Sequence, residues 1–507
     1  MIGVVVVHYE DPVGLDRVLS ALERVEDVRV VVADDGSQVA PDPGVRACPV
    51  DVVRQEDQGF RAAAARNLGA RALLAGGTPQ ALLFLDGDTI PGPDYIERMA
   101  ARLERVAAGA PNRRALVVGR RRYADLTGLS PAEVAEFVAA PDPARILADT
   151  TWLEEGYART DDLRRADDTS YRYVISAVLA ITPDLFEVTG GFDESFVGYG
   201  GEDWEFAQRA WLAGADLAHE ASALAWHDGP DAAGRDEASA TSSTADAVLA
   251  RANAETVRVA RTVTVPGARD PGLFWEHPDV VVEFEDTGLR PVDVLLTCAD
   301  LVRGTDAQVW LRDGAVLRDG LWPASDPRVT HGPAPAISLA RARFRARLDR
   351  PVRLLRPLSD LCADAPRHHP GLILQRTRDR ARGEPIPPPR PDPAVRAPAP
   401  TGGSKPSGDG AAPTPCRPRP APPTTRNAHD RRRRDDRPPR PAGHRRRPPR
   451  SRRARRPRST PRGRRRRREP AGRRTALLRG AAGVRARARD RLRTRPRGAR
   501  GPGGTRR

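Results

Sequence analysis

Two carboxylates stand two residues apart in Leu83-Phe84-Leu85-Asp86-Gly87-Asp88-Thr89, where an apolar run stops abruptly. Side chains held that close at the end of a buried strand repel each other unless a cation or a hydrogen-bonded ligand is shared between them. A hard divalent ion, Mn²⁺ or Mg²⁺, takes oxygen ligands and usually also binds substrate phosphates. A solvated Asp-Gly-Asp turn is the plainer reading of the same residues. The surroundings favour the ion. Asp34-Asp35-Gly36-Ser37 ends a second apolar run and offers a carboxylate to a base or ribose. Gln58-Gly59-Phe60 then supplies a glycine turn ahead of Arg66-Asn67, and Arg66 suits bidentate recognition of a phosphate or a planar base, although a surface helix arginine reads the same.

A second group of acids follows in Gly190-Gly191-Phe192-Asp193-Glu194 and Gly200-Gly201-Glu202-Asp203-Trp204-Glu205. Glycines allow close approach of backbone to a ligand, and acids at the opening of a helix are kept ionised by its positive end. Glu202 and Asp203 therefore read either as helix-capping residues or as a general base toward a hydroxyl. His227, in Ala225-Trp226-His227-Asp228-Gly229, offers an imidazole for a mixed Asp/His metal site or a hydrogen-bonded structural ring.

Positioning these groups requires strands that end together. Ile2–Val7, 28–33 and 81–85 are continuous apolar runs suited to strands buried on both faces, and helical spacing recurs between them at Leu15, Val18, Leu19, Leu22 and Val25. The alternation predicts an α/β domain over residues 1–230 with a mostly parallel central sheet, further helices over 61–75, 94–107 and 202–213, and further strands at 116–118, 173–181 and 221–226. Both acidic turns then lie at carboxyl ends of strands, where open α/β sheets bind ligands. Residues 231–261 read as a linker or loosely packed helix. Residues 262–355, with strands expected at 280–284 and 292–296, read as a small α/β or β-rich module without a chemical constellation.

The 84 basic and 67 acidic residues sum to +17, but the charge is divided. Residues 401–507 hold 37 Arg and Lys405 against six acids, leaving residues 1–400 at −15. Aromatic residues stop at Phe344, so a basic globular nucleic-acid-binding domain is not the reading. Residues 381–507, rich in Arg, Pro, Gly and Ala, are expected to be disordered, since such a composition buries too little apolar surface. Arginine runs at 431–434, 445–447 and 464–468 would support non-specific binding to nucleic acid or an anionic surface. With one Lys beside 83 Arg, a shifted reading frame in GC-rich coding DNA would also yield this mixture. Four scattered cysteines suggest neither zinc nor disulfides. No apolar run reaches membrane-spanning length and Met1–Val7 lacks signal-peptide features, so the expectation is a cytoplasmic protein, with the inner membrane face as an alternative station.

In order and spacing these motifs resemble family 2 glycosyltransferases with the GT-A fold, over about residues 1–230. The resemblance is carried by His8-Tyr9-Glu10 after the first strand, the DDGS at 34–37, QGF and ARN at 58–67, LDGDT at 85–89 and GGEDWEF at 200–206. The segment from 190 to 206 with its trailing Trp226-His227 also looks like the galactosyltransferase-type carboxyl half of chondroitin-synthase-like enzymes. The resemblance implies an inverting, metal-assisted transfer from a nucleotide-diphospho-sugar, UDP-linked for preference, to a hydroxyl of a glycan or other acceptor. It further implies that His8, Tyr9, Glu10, Asp35, Gln58, Arg66, Asp86 and Gly87 bind the nucleotide sugar, and that Asp88, His227 and Asp86 hold Mn²⁺ or Mg²⁺. Asp203 would be the catalytic base, with Glu202 its nearest rival. Residues 8–10 depart from the Tyr-Asn common after the first strand of such enzymes. Residues 262–355 would be an acceptor-binding module or the stump of a second transferase domain.

Overall fold

Four consecutive valines, Val4 to Val7, lie in the first strand, β1 (Ile2–His8), and Val4, Val5 and Val6 are completely buried. Only a strand covered on both faces accommodates such a run, because alternate side chains point to opposite sides. In the computed structural model, which describes residues 1–398 apart from Tyr199, residues 231–244 and Pro271, β1 lies inside an eight-stranded sheet. Its neighbours are β2 (Val28–Asp34) and β4 (Leu82–Asp86), both parallel to it, with β3 (Val50–Arg54) parallel to β2 at the edge. The order continues through β7 (Val178–Ile181), β6 (Ala115–Ala124), β8 (Asp216–Asp228) and β5 (Thr89–Pro91). β7 runs antiparallel to both β4 and β6, while β8 is parallel to β6.

Register decides where the chemistry falls. His8 pairs with Asp34 and Val7 with Asp86, so the ends of β1, β2 and β4 lie side by side. The antiparallel pairing of Thr89 with His227 brings the end of β8 to the same place. Helix α1 (Pro12–Leu22) and helix α2 (Ala62–Ala75) cover the sheet, and α3 (Tyr95–Gly109), α4 (Pro131–Ala139), α5 (Thr151–Thr160) and α6 (Pro183–Thr189) follow along the chain. At Gly69 a Cβ would lie 2.5 Å from Val5 Cγ1, so glycine lets α2 press against β1 with Arg66 at its active end. The expected strand at 173–181 is shorter: residues 170–173 form a turn of 3-10 helix in which Tyr173 packs against Tyr157, and only Val178–Ile181 joins the sheet.

The second sheet has the order β11-β10-β9-β12-β15-β14, with β9 (Val280–Phe284), β10 (Gln308–Leu311), β11 (Val329–His331), β12 (Phe344–Leu348), β14 (Arg367–His369) and β15 (Leu372–Arg376). β11, β10, β9 and β12 are parallel, and β15 is antiparallel to both β12 and β14. That sequence of strands and directions repeats β3-β2-β1-β4-β7-β6 of the first sheet. The expected strand at 292–296 is instead the start of a helix, Pro291–Val302: proline occupies its first turn, and Val294, Cys298 and Leu301 form a buried stripe at helical spacing.

Ordered structure also extends beyond the expected limit at 355. Residues 381–398 are not disordered: β16 (Val395–Arg396) pairs with β13 (Arg353–Leu354), and Arg382 donates to Asp216 at 2.6 Å. Ion pairs and strand pairing order a stretch whose apolar content alone would not. The remainder of the expected basic tail, from 399, and the expected linker over 231–244 lie outside the described residues. No helix among the described residues is long and apolar enough to cross a membrane.

Candidate active site

Carboxylates and cations from five elements meet at the carboxyl edge of the first sheet. At the end of β4, Asp86 accepts a hydrogen bond from Arg66 Nη2 at 2.9 Å, and Arg66 Nη1 donates to Glu202 Oε1 at 3.2 Å. Arg66 is 3% exposed, its guanidinium also stacks over Phe192, and the two acids neutralise a charge that burial would otherwise penalise. Arg66 thereby joins α2, β4 and helix α7 (Glu202–Leu212).

Asp88 follows one glycine later. Gly87 N–H donates to Val7 O at 2.8 Å, turning the chain so that Asp88 faces β8. There Asp88 Oδ1 lies 3.2 Å from Nδ1 of the fully buried His227. Tyr123 meets the His227 ring edge-on, which fixes its orientation. Among the described residues no three His, Cys, Asp or Glu side chains converge into a metal cage. The structure places Asp86, the third residue of the expected metal set, against Arg66. The remaining pair, a carboxylate oxygen and an imidazole nitrogen, is a donor set that suits Mn²⁺, with other positions left for ligand oxygens.

On the opposite flank the DDGS turn divides its acids. Asp34 is completely buried; its Oδ1 lies 2.9 Å from His8 Nδ1 and accepts from Ser37 Oγ at 2.5 Å, and its Oδ2 accepts from Ser37 N–H at 3.0 Å and pairs with Arg54 Nε at 3.0 Å. Asp35 is 2% exposed and accepts from Gln55 Nε2 at 2.5 Å and from the Arg61 backbone N–H at 2.8 Å. His8 and Asp35 thus lie in one network, but Gln58 is exposed and contacts Arg61. Gln55, rather than Gln58, is the glutamine that contacts Asp35. Glu10 adopts a left-handed backbone (φ 53°) and its carboxylate accepts from Gln38 N–H, closing the turn. Tyr9 is partly buried; burial first, then the fields of Asp57, Glu10, Asp35 and Asp34, raise its phenol above the ordinary value.

Helix α7 supplies the third flank. Gly200 and Gly201 have φ of 93° and 90°, a left-handed backbone that glycine accepts without strain, and they deliver Glu202 and Asp203 into the first turn. Burial, and then the field of Glu202, push Asp203 up to about 7, opposed by Arg66. A carboxylate so tuned exchanges a proton near neutrality. The preceding loop is braced from both sides: Asn67 donates to Phe192 O at 2.8 Å, and Arg341 of the second module donates to Asp193 at 2.7 Å while lying 3.1 Å from Glu205. Burial works against ionised Asp193, but hydrogen bonds from Ser195 and Arg341 outweigh it and pull the group down to about 2.

Sequence reasoning missed Asp34, Gln55, Asn67 and Glu255. Glu255 lies on the helix Ala245–Thr262, is 7% exposed and packs over Gly200. Its spacing with Val259 and Val263, two residues of the buried core, put a carboxylate on an apolar helical stripe, a signal visible in the sequence.

Known proteins share this segment. Residues 3–152 match the family described as glycosyl transferase family 2, and residues 166–223 match the N-terminal domain of galactosyltransferase. The chain is 34% identical over 230 residues to validoxylamine A glucosyltransferase of Streptomyces hygroscopicus subsp. jinggangensis, covering 41% of this chain and 51% of that protein. It is 27% identical over 251 residues to the hyaluronan synthase of Pasteurella multocida (45% and 24%) and 30% identical over 219 residues to the chondroitin synthase of Escherichia coli (41% and 31%). The chain therefore spans about half the length, or less, of these relatives. The two matched segments contain His8, Asp35, Arg66, Asp86, Asp88 and Asp203, and His227 falls four residues beyond the second.

Proposed function

We propose that the protein, whose residues 3–152 match the family described as glycosyl transferase family 2, moves a sugar from a nucleotide-diphospho-sugar to a hydroxyl of a glycan or other acceptor, with inversion at the anomeric carbon. The observation that supports this most is the meeting of Asp86, Asp88, His227, Arg66 and Asp203 at one sheet edge. The donor is UDP-linked by family resemblance. Asp35, held by Gln55 and the Arg61 N–H, would accept from the base, with the turn at His8, Tyr9 and Glu10 contributing beside it. Asp86 and Gly87 would contact the ribose and diphosphate, with Arg66 setting the Asp86 carboxylate.

Asp88 and His227 would hold Mn²⁺ or Mg²⁺. When bound, such an ion offsets charge on the leaving nucleoside diphosphate. Asp203, ionised, removes the proton from the attacking acceptor hydroxyl. Glu202 is committed to Arg66, which leaves Asp203 the better base of the two. The site of action is the cytoplasm, at the inner face of the membrane if the acceptor is membrane-bound. Incubating the full chain with Mn²⁺ and a panel of UDP-, GDP- and TDP-sugars, and reading the anomeric configuration of the product by NMR, tests the reading. A product of retained configuration, or no turnover of any donor, rejects it.

A further inference from the structure

The helix Ala245–Thr262 lies outside both segments shared with known families, yet it contributes to the site's wall. Val259 packs where a side chain on Gly201 would stand: a Cβ there would meet Val259 Cγ2 at 2.8 Å. Arg258 Nη1 donates to Val197 O at 3.2 Å, which ties the helix to the loop before α7. Between these anchors, the Glu255 carboxyl lies directly over Gly200, whose Cβ would fall 2.7 Å from the carboxyl carbon and 2.8 Å from Oε1. Glu255 is more than nine-tenths buried, and its Oε1 has no hydrogen-bond partner among the described residues. A buried oxygen left without a partner is costly, so a ligand that supplies one is favoured.

Resting on the transferase reading above, we propose that Glu255 belongs to the acceptor side of the site and hydrogen-bonds a hydroxyl of the acceptor sugar, positioning the neighbouring hydroxyl for Asp203. The groups facing Glu255 are Asp203 and Glu202 on α7 and Arg258 on its own helix. Burial first, then the two α7 acids, push Glu255 up to about 8, and Arg258 opposes them. A neutral carboxyl both donates and accepts, which matches a sugar hydroxyl that does the same. It also adds no negative charge beside Asp203. Glycine at 200 is required for this placement, because any Cβ would displace the carboxyl.

The test compares wild type, Glu255→Gln and Glu255→Ala in the full chain, with Mn²⁺, the donor found in the screen, and a panel of p-nitrophenyl glycosides as acceptor probes. Glu255→Ala should raise the acceptor KM at least ~10-fold, the cost of one lost hydrogen bond in a buried site, while the donor KM holds. The wild-type acceptor KM should rise above pH 8 as Glu255 loses its proton and with it the donated hydrogen bond; Glu255→Gln, which keeps a donor and an acceptor without a titrating proton, should bring the acceptor KM back toward wild type and lack that rise. Equal shifts in donor and acceptor KM, or no shift in either, would overturn the assignment. Because Asp203→Asn in parallel reports on the base alone, wild-type turnover with a dead Asp203→Asn isolates a failure of the Glu255 role. Wild type inert toward every donor would remove the transferase reading and this one with it.

Discussion

Asp88 Oδ1 and His227 Nδ1 lie 3.2 Å apart although one immediately precedes β5 and the other nearly closes β8. The antiparallel pairing of Thr89 with His227 is what joins them. If this pair holds the ion, His227→Ala should weaken activation by Mn²⁺ by more than the ~10–100-fold that even outer partners of a metal ligand cost. A Mn²⁺ titration of the rate reads this out, and an unchanged half-saturation removes His227 from the set.

If Asp203 is the base, it sets the pH profile. Only its ionised form takes a proton, so kcat/KM should climb as pH rises through about 7. Asp203→Asn should lower kcat about 10²–10⁴-fold and leave the residual rate flat across that range.

The same group makes a stability prediction of opposite sense. Its folded pKa lies above the 3.8 of the free carboxyl, so the folded state binds the proton more tightly, and stability is lost as pH rises from about 4 through 7. Asp203→Asn removes the buried charge and should raise stability at pH 8 by about 1–2 kcal/mol after allowance for solvent near the group. Urea unfolding of both forms at pH 4 and pH 8 checks it; the gain should be absent at pH 4.

Arg66 offers the contrasting case. Arg66→Ala leaves Asp86 and Glu202 facing each other without their shared cation, and should cost about 3 kcal/mol. Denaturant midpoints decide, and a loss below 1 kcal/mol would mean that the bridge is not formed.

The second module should prove inseparable from the first. Val259, Val263 and Val265 lie in the first domain's core, and Arg341 and Arg343 reach back to Asp193 and Asp168. A fragment ending at residue 250 should therefore fail to unfold cooperatively, whereas the full chain should show a cooperative transition by calorimetry.

Much of this architecture was legible because the buried strands are written as uninterrupted runs. Val4–Val7, Val30–Ala33 and Leu82–Leu85 each stop at an acid, and the strand ends followed directly. β8 was underestimated because Glu220 and Ser222 interrupt its pattern around the bulge where its pairing with β6 shifts register. Partners within a motif were harder to separate. Asp34 and Asp35 are adjacent in sequence and point to different networks, and Gln55 replaces Gln58 because the end of β3, rather than the glycine turn, lies beside Asp35. Residues 381–398 looked unstructured because their order comes from Arg382, Asp216 and strand pairing, contacts that composition does not reveal. Glu255 lacked a motif, and only its place on a valine stripe marked it.

We propose that one sheet edge, with Asp203 as base, transfers a sugar from a nucleotide donor. Release of nucleoside diphosphate by the full chain, with Mn²⁺, donor and acceptor, measured beside Asp203→Asn, tests it most directly. The account predicts acceptor-dependent release by wild type and a loss of about 10²-fold or more in the variant. Equal release by the two proteins would contradict it.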